Sequence, residues 1–249
     1  MAHPLDGARA KVERAIQHIN KFSQDAAPFE VWNHIVRAEA DPQAGVMRLY
    51  AVQIGGREPP PNYLVLLAGE IAYQLRSALD HVIYLLAKKA PDRRRQFPIF
   101  KERKEYIARA PSMIEGVSAH ANALIETYQP YHGIPADQDS LWMLQDLNNT
   151  DKHRLIPTCF IVGDHLRVFF PDGTQSDFTY LFPGSVLKDG TMLCHFRLPD
   201  LEVQMKAQLF CSIAFEQIGG AQNQAVVPIL AKMASNVGWI VESFAPEFP

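Results

Sequence analysis

The sequence predicts an α+β fold, in which a helical core around one long helix packs with an antiparallel sheet. Three observations lead to this prediction. Apolar residues recur at helical spacing through most of the chain before Pro157. After Pro157, short β-rich runs are separated by the turn sequences PDG, KDG and GG, and an amphipathic helix near residues 224–244 closes the chain. We expect one α+β domain over residues 1–249, with the polar motifs in residues 28–157 and the sheet and closing helix in residues 158–249.

The elements expected before the first proline cluster are a helix and a hairpin. Residues 4–24 have apolar side chains at three- and four-residue intervals, which predicts an amphipathic helix. Residues 29–39 and 46–54 are rich in β-forming side chains and flank the polar sequence DPQAG, which predicts an N-terminal hairpin. Three prolines, Pro59–Pro61, then end the second strand.

The longest predicted helix covers residues 63–90 and forms the centre of the helical core. At 100° per residue, its Leu, Ile, Val and Ala side chains fill one broad arc. The opposite arc carries a polar stripe of Glu70, Gln74, Ser77 and His81. Such a stripe indicates a polar site if its face is buried, or a solvated surface if it is not.

Two more helices and five strands complete the expected elements. Ser112 and Glu115 have the spacing of a capping box and predict that a helix starts there. A loop rich in Pro and Gly leads to another helix over residues 140–154. The expected strands cover residues 158–162, 165–170, 177–182, 191–197 and 206–215.

Charge and cysteine content narrow the function classes. The net charge is −3, so no overall positive field attracts nucleic acid. Residues 88–104 do carry eight Lys and Arg against two acidic residues, which indicates either a local RNA-binding track or a solvated loop. The three cysteines form no CxxC pair, which argues against a zinc knuckle or a redox pair. Because the chain has no signal sequence and no apolar run long enough for a membrane span, we expect a cytoplasmic protein without a membrane partner.

Arg76 and His81 form the clearest catalytic pattern, an arginine and a histidine five positions apart on the predicted long helix. In metal-independent RNA cleavage a histidine moves protons and an arginine stabilises the developing charge on the phosphoryl group. Five helical residues turn by about 140°, so the two side chains diverge within one chain. The alternative is that Arg76 forms an i,i+4 ion pair with Asp80.

A second polar segment, Asn148–Arg154, lies between two apolar runs. This segment could place Lys152, His153 and Arg154 near an anionic substrate. The alternative is a helix C-terminus, where cations offset the helix dipole, and the nearby Pro157 favours that alternative.

Neither a metal site nor a cofactor is expected. The chain has no HExxH, no His-x3-His and no Glu-x-x-His turn ending at His81 or His153. It also has no Gly-rich phosphate loop and no GxSxG. Convergence of His81, His153, Asp80 and Asp151 through folding is the one metal site that the sequence leaves open.

The segments LAGEIAYQLRSALDHVIYLLA, FPIF, QPY and LWMLQDLNNTDKHRLI together resemble a set of bacterial hypothetical proteins. In that set a Gly-Asp or Gly-Glu pair leads into an LRSALDH helix, and DKHR follows about seventy residues later. The matching positions here are Gly69–Glu70, Leu75–His81 and Asp151–Arg154. The resemblance spans most of residues 28–160 in order, and it implies no particular activity.

A fainter resemblance is to HEPN domains, which are small helical ribonucleases that dimerise around an Arg-x4–6-His motif. Arg76, the polar Ser77 and His81 match that motif. The chain departs from the HEPN pattern in its length, its acidic charge and its β-structure. This resemblance implies RNA as substrate and a second copy of the chain as partner.

The first functional hypothesis is therefore a dimeric, metal-independent endoribonuclease. His81 would act as acid and base, and Arg76 would stabilise charge on the phosphate. Lys152 and Arg154 would hold the RNA backbone, and the basic residues of 88–104 would extend the track.

The second hypothesis is a small-molecule or metal-dependent enzyme pocket between the LRSALDH helix and the DKHR segment. Asp80, His81, Asp151 and His153 would line it, with Ser77 contributing to substrate binding. The third hypothesis is structural, with both motifs forming a buried polar network in an interaction protein.

All three hypotheses place the two motifs together. Each motif has ionisable side chains next to strongly apolar helical turns, and partly buried charges persist only when they are paired. We therefore expect at least one direct hydrogen bond or ion pair between residues 76–81 and residues 148–154.

Overall fold

The structure, a computed structural model, describes residues 3–33, 35–133, 135–198, 200 and 202–248. Its α-helices are α1 (Asp6–Glu30), α2 (Asn62–Leu86), α3 (Arg103–Arg109), α4 (Ala119–Thr127), α5 (Ser140–Asp151) and α6 (Val226–Ser243). Its β-strands are β1 (Val31–Asn33), β2 (Val36–Asp41), β3 (Val46–Ala51), β4 (Thr158–Phe169), β5 (Gln175–Thr179), β6 (Met192–Phe196) and β7 (Lys206–Phe215). These elements confirm the predicted α+β fold with a long central helix and a closing C-terminal helix.

The helical layer is built around α2. Helices α1, α5 and α6 all pack against it, and they cover the apolar arc that its sequence predicts. The buried side chains of this arc include Leu64, Leu67, Ile71, Leu75, Leu79 and Val82. The outer arc is a mixed surface, in which Tyr73 and Tyr84 are more than half exposed while Ser77 and His81 are half-buried. Within the described part of the chain, no helix has both the length and the apolar character needed to cross a bilayer.

The strands form two antiparallel sheets. One has the order β1-β7-β4-β5, and the other has the order β2-β3-β6. A second hydrophobic core lies between these sheets, and it includes Trp32, Leu49 and Leu209. Phe160 on β4 packs against both this core and the helical one, so it joins the two layers.

Several element boundaries differ from the sequence prediction. Helix α1 continues to Glu30, and the strand after it pairs with β7 rather than with the hairpin, which consists of β2 and β3 alone. The helix expected at Ser112 begins at Ala119, because Ser118 supplies the N-cap and accepts a hydrogen bond from the Ala121 amide. The two strands expected over residues 158–170 are one strand with a register shift.

Glu30 at the end of α1 gives the fold a specific pH dependence. Its Oε1 accepts a hydrogen bond from the Ile213 amide at 3.2 Å, and burial raises the pKa of the carboxyl above its ordinary value. The folded chain therefore binds this proton more tightly than the unfolded chain does. The tighter proton binding stabilises the folded state at pH values below the ordinary pKa of glutamate. This stabilisation is lost as the pH rises through the raised pKa of Glu30 in the folded chain.

We expect the variant Glu30→Gln, which keeps the acceptor but cannot ionise, to gain stability relative to wild type as pH rises from about 4 to 7. Chemical denaturation across that range measures the difference in free energy of unfolding. Glu242→Gln is the control, because the hydrogen bond from Arg9 lowers the pKa of Glu242. This variant should lose stability relative to wild type as the pH rises. A difference for Glu30→Gln that is independent of pH would contradict this account.

Candidate functional site

Arg76 and Asp80 lie one turn apart on α2 and together hold the chain that follows this helix. Arg76 Nη2 lies 3.0 Å from Asp80 Oδ1 and donates a hydrogen bond of 2.7 Å to the Phe97 carbonyl. The Phe97 amide donates in turn to Asp80 Oδ1 at 2.8 Å. The i,i+4 ion pair considered as the alternative from the sequence is thus present, and it clamps the backbone of Phe97 to α2.

The cost of burying the guanidinium of Arg76 is larger than its single counter-charge, Asp80, can offset. Its residue is 6% exposed, and Nη1 has no hydrogen-bond partner among the described residues. Burial lowers the pKa of Arg76, and this effect is larger than the opposite effect of the nearby Asp80. Burial also raises the pKa of Asp80, and here too it outweighs the effect of the Arg76 charge. Because arginine stays protonated in proteins, the site keeps a buried cation with an unused donor.

Arg76 and Phe97 form part of the wall of a cavity of about 250 Å³ between α2, the segment over residues 96–113 and α5. Its apolar lining consists of Phe97, Ile99, Phe100, Met113 and the ring of Trp142. Its polar lining consists of Arg76, Gln96, Glu105, Arg109, Gln145 and Asn149. Since Gln96, Glu105, Arg109 and Asn149 are exposed and Arg76 is buried, the polar residues form the rim and Arg76 lies at the floor.

Two cations lie over the aromatic rings of this cavity. Lys101 Nζ is 5.0 Å from the centroid of the Trp142 ring, and the Arg109 guanidinium is 5.1 Å from that of Phe100. Gln145 Oε1 is buried and, like Arg76 Nη1, has no partner among the described residues. The cavity thus combines aromatic walls and a polar rim with two buried atoms, Arg76 Nη1 and Gln145 Oε1, that have no partner among the described residues.

Local sequence explains how α5 presents its side chains. Asp139 caps this helix and accepts hydrogen bonds from the amides of Leu141 at 2.8 Å and Trp142 at 3.3 Å. The first turn, which carries Trp142, is therefore fixed. Gln145 and Asn149 follow Trp142 by three and seven residues, which places all three on one helical face toward the cavity.

Gln129 holds the opposite wall in place. This buried side chain accepts a hydrogen bond from the Phe100 amide at 3.1 Å and donates one of 2.8 Å to the Pro98 carbonyl. The FPIF segment, residues 97–100, is therefore fixed by α2 at one end and by Gln129 at the other. FPIF and QPY, which have no assigned role in the sequence, are therefore in direct contact in this chain.

His81 lies away from this cavity, against α1. A Cβ added at Gly7 would lie 2.9 Å from His81 Nε2, so the imidazole packs on the backbone of α1. Burial lowers the pKa of His81, and the charge of Lys11 lowers it further. Arg76 and His81 therefore face different parts of the chain, as their angular separation on α2 predicts.

The segment after α5 does not bring its charges to Arg76. Lys152, His153 and Arg154 are exposed at the end of the helix, while Asp151 packs onto α2 at Gly69. Among the described residues, no group of three His, Cys, Asp or Glu side chains is placed to hold a metal ion.

The predicted direct bond between residues 76–81 and residues 148–154 is wrong. Helices α2 and α5 do pack together, and Arg76 and Asn149 line one cavity. Both segments are fully described, and no hydrogen bond or ion pair joins them. The charge of Lys152 lowers the pKa of Asp80 only as a minor effect, after that of Arg76. The reason is that Arg76 Nη2 and Asp80 Oδ1 bond to each other and to the backbone of Phe97 instead.

Gly69 and Asp151 bring the two motifs into contact. A Cβ on Gly69 would overlap the Asp151 carboxylate, with Cγ at 2.5 Å. Burial raises the pKa of Asp151, and the charge of Glu70 raises it further, so this carboxylate is held in an unfavourable place by packing. A Cβ at position 69 therefore requires the Asp151 carboxylate to move.

We expect Gly69→Ala to destabilise the protein by about 1–3 kcal/mol through overpacking. In an Asp151→Ala background the same change should instead stabilise by up to about 1 kcal/mol, because alanine favours helix. Urea denaturation of the four chains gives the coupling between the two sites. Asp151→Asn, which removes the charge but keeps the volume, should leave the Gly69→Ala penalty in place. Equal effects of Gly69→Ala in all backgrounds would contradict the contact.

Comparisons with protein-family models, with curated proteins and with solved structures find no match to this chain.

Proposed function

We propose that this protein binds a small organic molecule in the cavity between α2, residues 96–113 and α5. The observation that carries the proposal is the buried guanidinium of Arg76, which lines the cavity and has a donor without a partner. Buried polar atoms are nearly always hydrogen-bonded, so a donor left over beside a cavity calls for a partner from outside the chain. Concave sites with mostly apolar walls and a few convergent polar groups are where small ligands bind.

The size of the cavity supports a small ligand. Its volume of about 250 Å³ lies just below the roughly 300–1,000 Å³ that is usual for drug-sized ligands. At about 30 Å³ per water molecule, a ligand filling it would displace on the order of eight waters. The second sequence hypothesis placed its pocket between the LRSALDH helix and the DKHR segment. The cavity proposed here borders the same helix, but Trp142, Gln145 and Arg109 line it in place of Asp80, His81, Asp151 and His153.

The endoribonuclease is the second candidate function. It is supported by the spacing of Arg76 and His81 and by the lowered pKa of His81, which favours a neutral imidazole able to accept a proton near pH 7. It requires a second copy of the chain to bring Arg76 of one copy to His81 of the other. The buried position of Arg76 favours the cavity hypothesis over this one.

Binding is tested by thermal shift with a library of small metabolites on the full chain. We expect individual compounds to raise the melting temperature of wild type. Trp142→Ala and Gln145→Leu should weaken binding of those compounds at least about tenfold, a loss of roughly 1.4 kcal/mol. The matched control is Trp239→Ala, because Trp239 is 71% exposed on α6 and does not line the cavity.

A library without any binder, or binders unaffected by both cavity variants, would overturn the proposed binding site. The ribonuclease is tested in parallel with fluorescently labelled single-stranded RNA. Cleavage by wild type that His81→Ala abolishes, and that Trp142→Ala leaves intact, would favour the second candidate over the first.

A further inference from the structure

The charges around the cavity define the charge of the ligand that it would accept. Three cations, Arg76, Lys101 and Arg109, lie in its wall or over its rings, and two carboxylates, Asp80 and Glu105, accompany them. Lys152 also lies near enough to lower the pKa of Asp80. The surroundings are therefore net positive and favour an anionic ligand, while Asp80 and Glu105 oppose each further negative charge that the ligand carries.

The floor offers a narrow contact for that anion. Arg76 Nη2 already serves Phe97 and Asp80, so Nη1 is the part of this guanidinium with no partner among the described residues. A carboxylate oxygen can accept a hydrogen bond from this nitrogen, and a charge-assisted hydrogen bond of this kind is stronger than a neutral one. A phosphate monoester carries more charge and more acceptor oxygens than the floor can match.

The walls define the body of the ligand. Phe97, Phe100 and Trp142 present three aromatic side chains in one cavity, with Ile99 and Met113 completing the apolar surface. A flat aromatic ring can stack on these faces, while a saturated ring of the same size is thicker and lacks the π-system. Lys101 lies over the Trp142 ring and Arg109 over the Phe100 ring, so each ring is held by a cation on one face.

Gln145 adds a polar requirement on the ring. Its Oε1 is buried without a partner among the described residues, so it needs a donor. A hydroxyl or ring N–H group supplies one. We propose that the ligand is a small aromatic carboxylic acid with a hydroxyl or N–H substituent. Its carboxylate binds Arg76, and its ring lies between Phe100 and Trp142. This inference rests on the proposed binding site.

The test is calorimetric titration of the full chain with defined probes that differ in one property at a time. Benzoate and the three hydroxybenzoates carry the charge and the ring, and cyclohexanecarboxylate carries the charge alone. Phenol carries the ring and hydroxyl without the charge, and phenyl phosphate replaces the carboxylate by a dianion. We expect at least one hydroxybenzoate to bind at least about tenfold more tightly than benzoate, and benzoate to bind more tightly than the other three probes.

Variants assign each preference to its residue. Gln145→Leu should remove the advantage of the hydroxybenzoate over benzoate, so that the two probes bind this variant with affinities within about twofold of each other. Arg76→Lys keeps a cation beside Asp80 and should reduce the preference for benzoate over phenol at least about tenfold. Thermal melts of each variant show that it is folded, and the probe series on wild type remains decisive if Arg76→Lys does not fold.

The possible outcomes separate this inference from the proposed function. Tight binding of neutral compounds or of phenyl phosphate, with carboxylates bound no better, would overturn the ligand class and leave the binding site standing. The same holds if the metabolite library yields cavity-dependent binders that are neither acidic nor aromatic. Absence of any binder in both the library and the probe series would overturn both.

Discussion

Replacing Asp80 by alanine should lower the free energy of unfolding by about 3 kcal/mol, because the change strands two buried donors at once. Arg76 would remain 6% exposed without a counter-charge, and the Phe97 amide would lose its acceptor. The hydrogen bond from Arg76 to the Phe97 carbonyl remains, which keeps the loss below the largest values for broken buried pairs. Urea denaturation monitored by circular dichroism measures the change.

Asp177→Ala is the matched control for this experiment. Arg167 binds Asp177 through two hydrogen bonds of 2.8 and 3.1 Å, but both side chains are about a third exposed or more. Removal of this solvent-screened pair should cost much less than removal of Asp80, despite its better hydrogen-bond geometry. Asp80→Asn, which keeps an acceptor oxygen for Phe97, should fall between the two. If Asp80→Ala costs no more than Asp177→Ala, the clamp at Phe97 does not stabilise the fold as described.

The parts of the fold that follow from local periodicity could be predicted from the sequence. The apolar arc of α2 and the face of α6 repeat at 3.6 residues, so their existence and their buried side chains were evident. The last strand was predicted with the bounds that β7 has. The end of α1 could not be predicted, because β1 is defined by its pairing with β7, which lies about 180 residues later.

In the candidate site, too, some contacts could be predicted from the sequence and others could not. The pair Arg76 and Asp80 is visible in the sequence as an i,i+4 spacing, and the structure confirms it. Its second partner is the backbone of Phe97, and backbone groups have no sequence signature. The prediction of a bond to α5 failed because it paired side-chain charges only with one another. Trp142 and Gln145 share a helical face that periodicity could have found, although their cavity requires three separate segments to fold together.

The second large effect on stability is expected where two 3-10 turns, Ala136–Gln138 and Gly219–Ala221, pack together near the start of α5. Gly220 lies in a 3-10 turn, and a Cβ there would lie 2.7 Å from the carbonyl carbon of Asp137 and nearer still to its oxygen. The obstructing atoms are backbone, so no side-chain rotation can relieve the overlap. Gly220→Ala must therefore separate the two turns, and we expect a loss of about 3 kcal/mol or more in the free energy of unfolding.

Gly133→Ala tests whether this loss is specific to the contact. Gly133 lies in the same connection before α5, has an ordinary backbone φ of −88°, and a Cβ there would lie 3.5 Å from the Pro130 carbonyl oxygen. Its replacement should change stability by no more than about 0.5 kcal/mol. Equal losses for both variants would show that general stiffening of the loop, and not the contact of Gly220 with Asp137, causes the effect.

Gly220→Ala should also change the position of the cavity wall. Asp137 precedes the N-cap Asp139 by two residues, and that cap fixes the turn of α5 that carries Trp142. Displacement of the Asp137 backbone must therefore be absorbed by the cap or transmitted to Trp142. We expect Gly220→Ala to change the near-ultraviolet circular dichroism of the folded protein, and this change to be much reduced in a Trp142→Phe background. If the spectral change is the same in both backgrounds, the strain remains within the two turns and the cavity wall does not move.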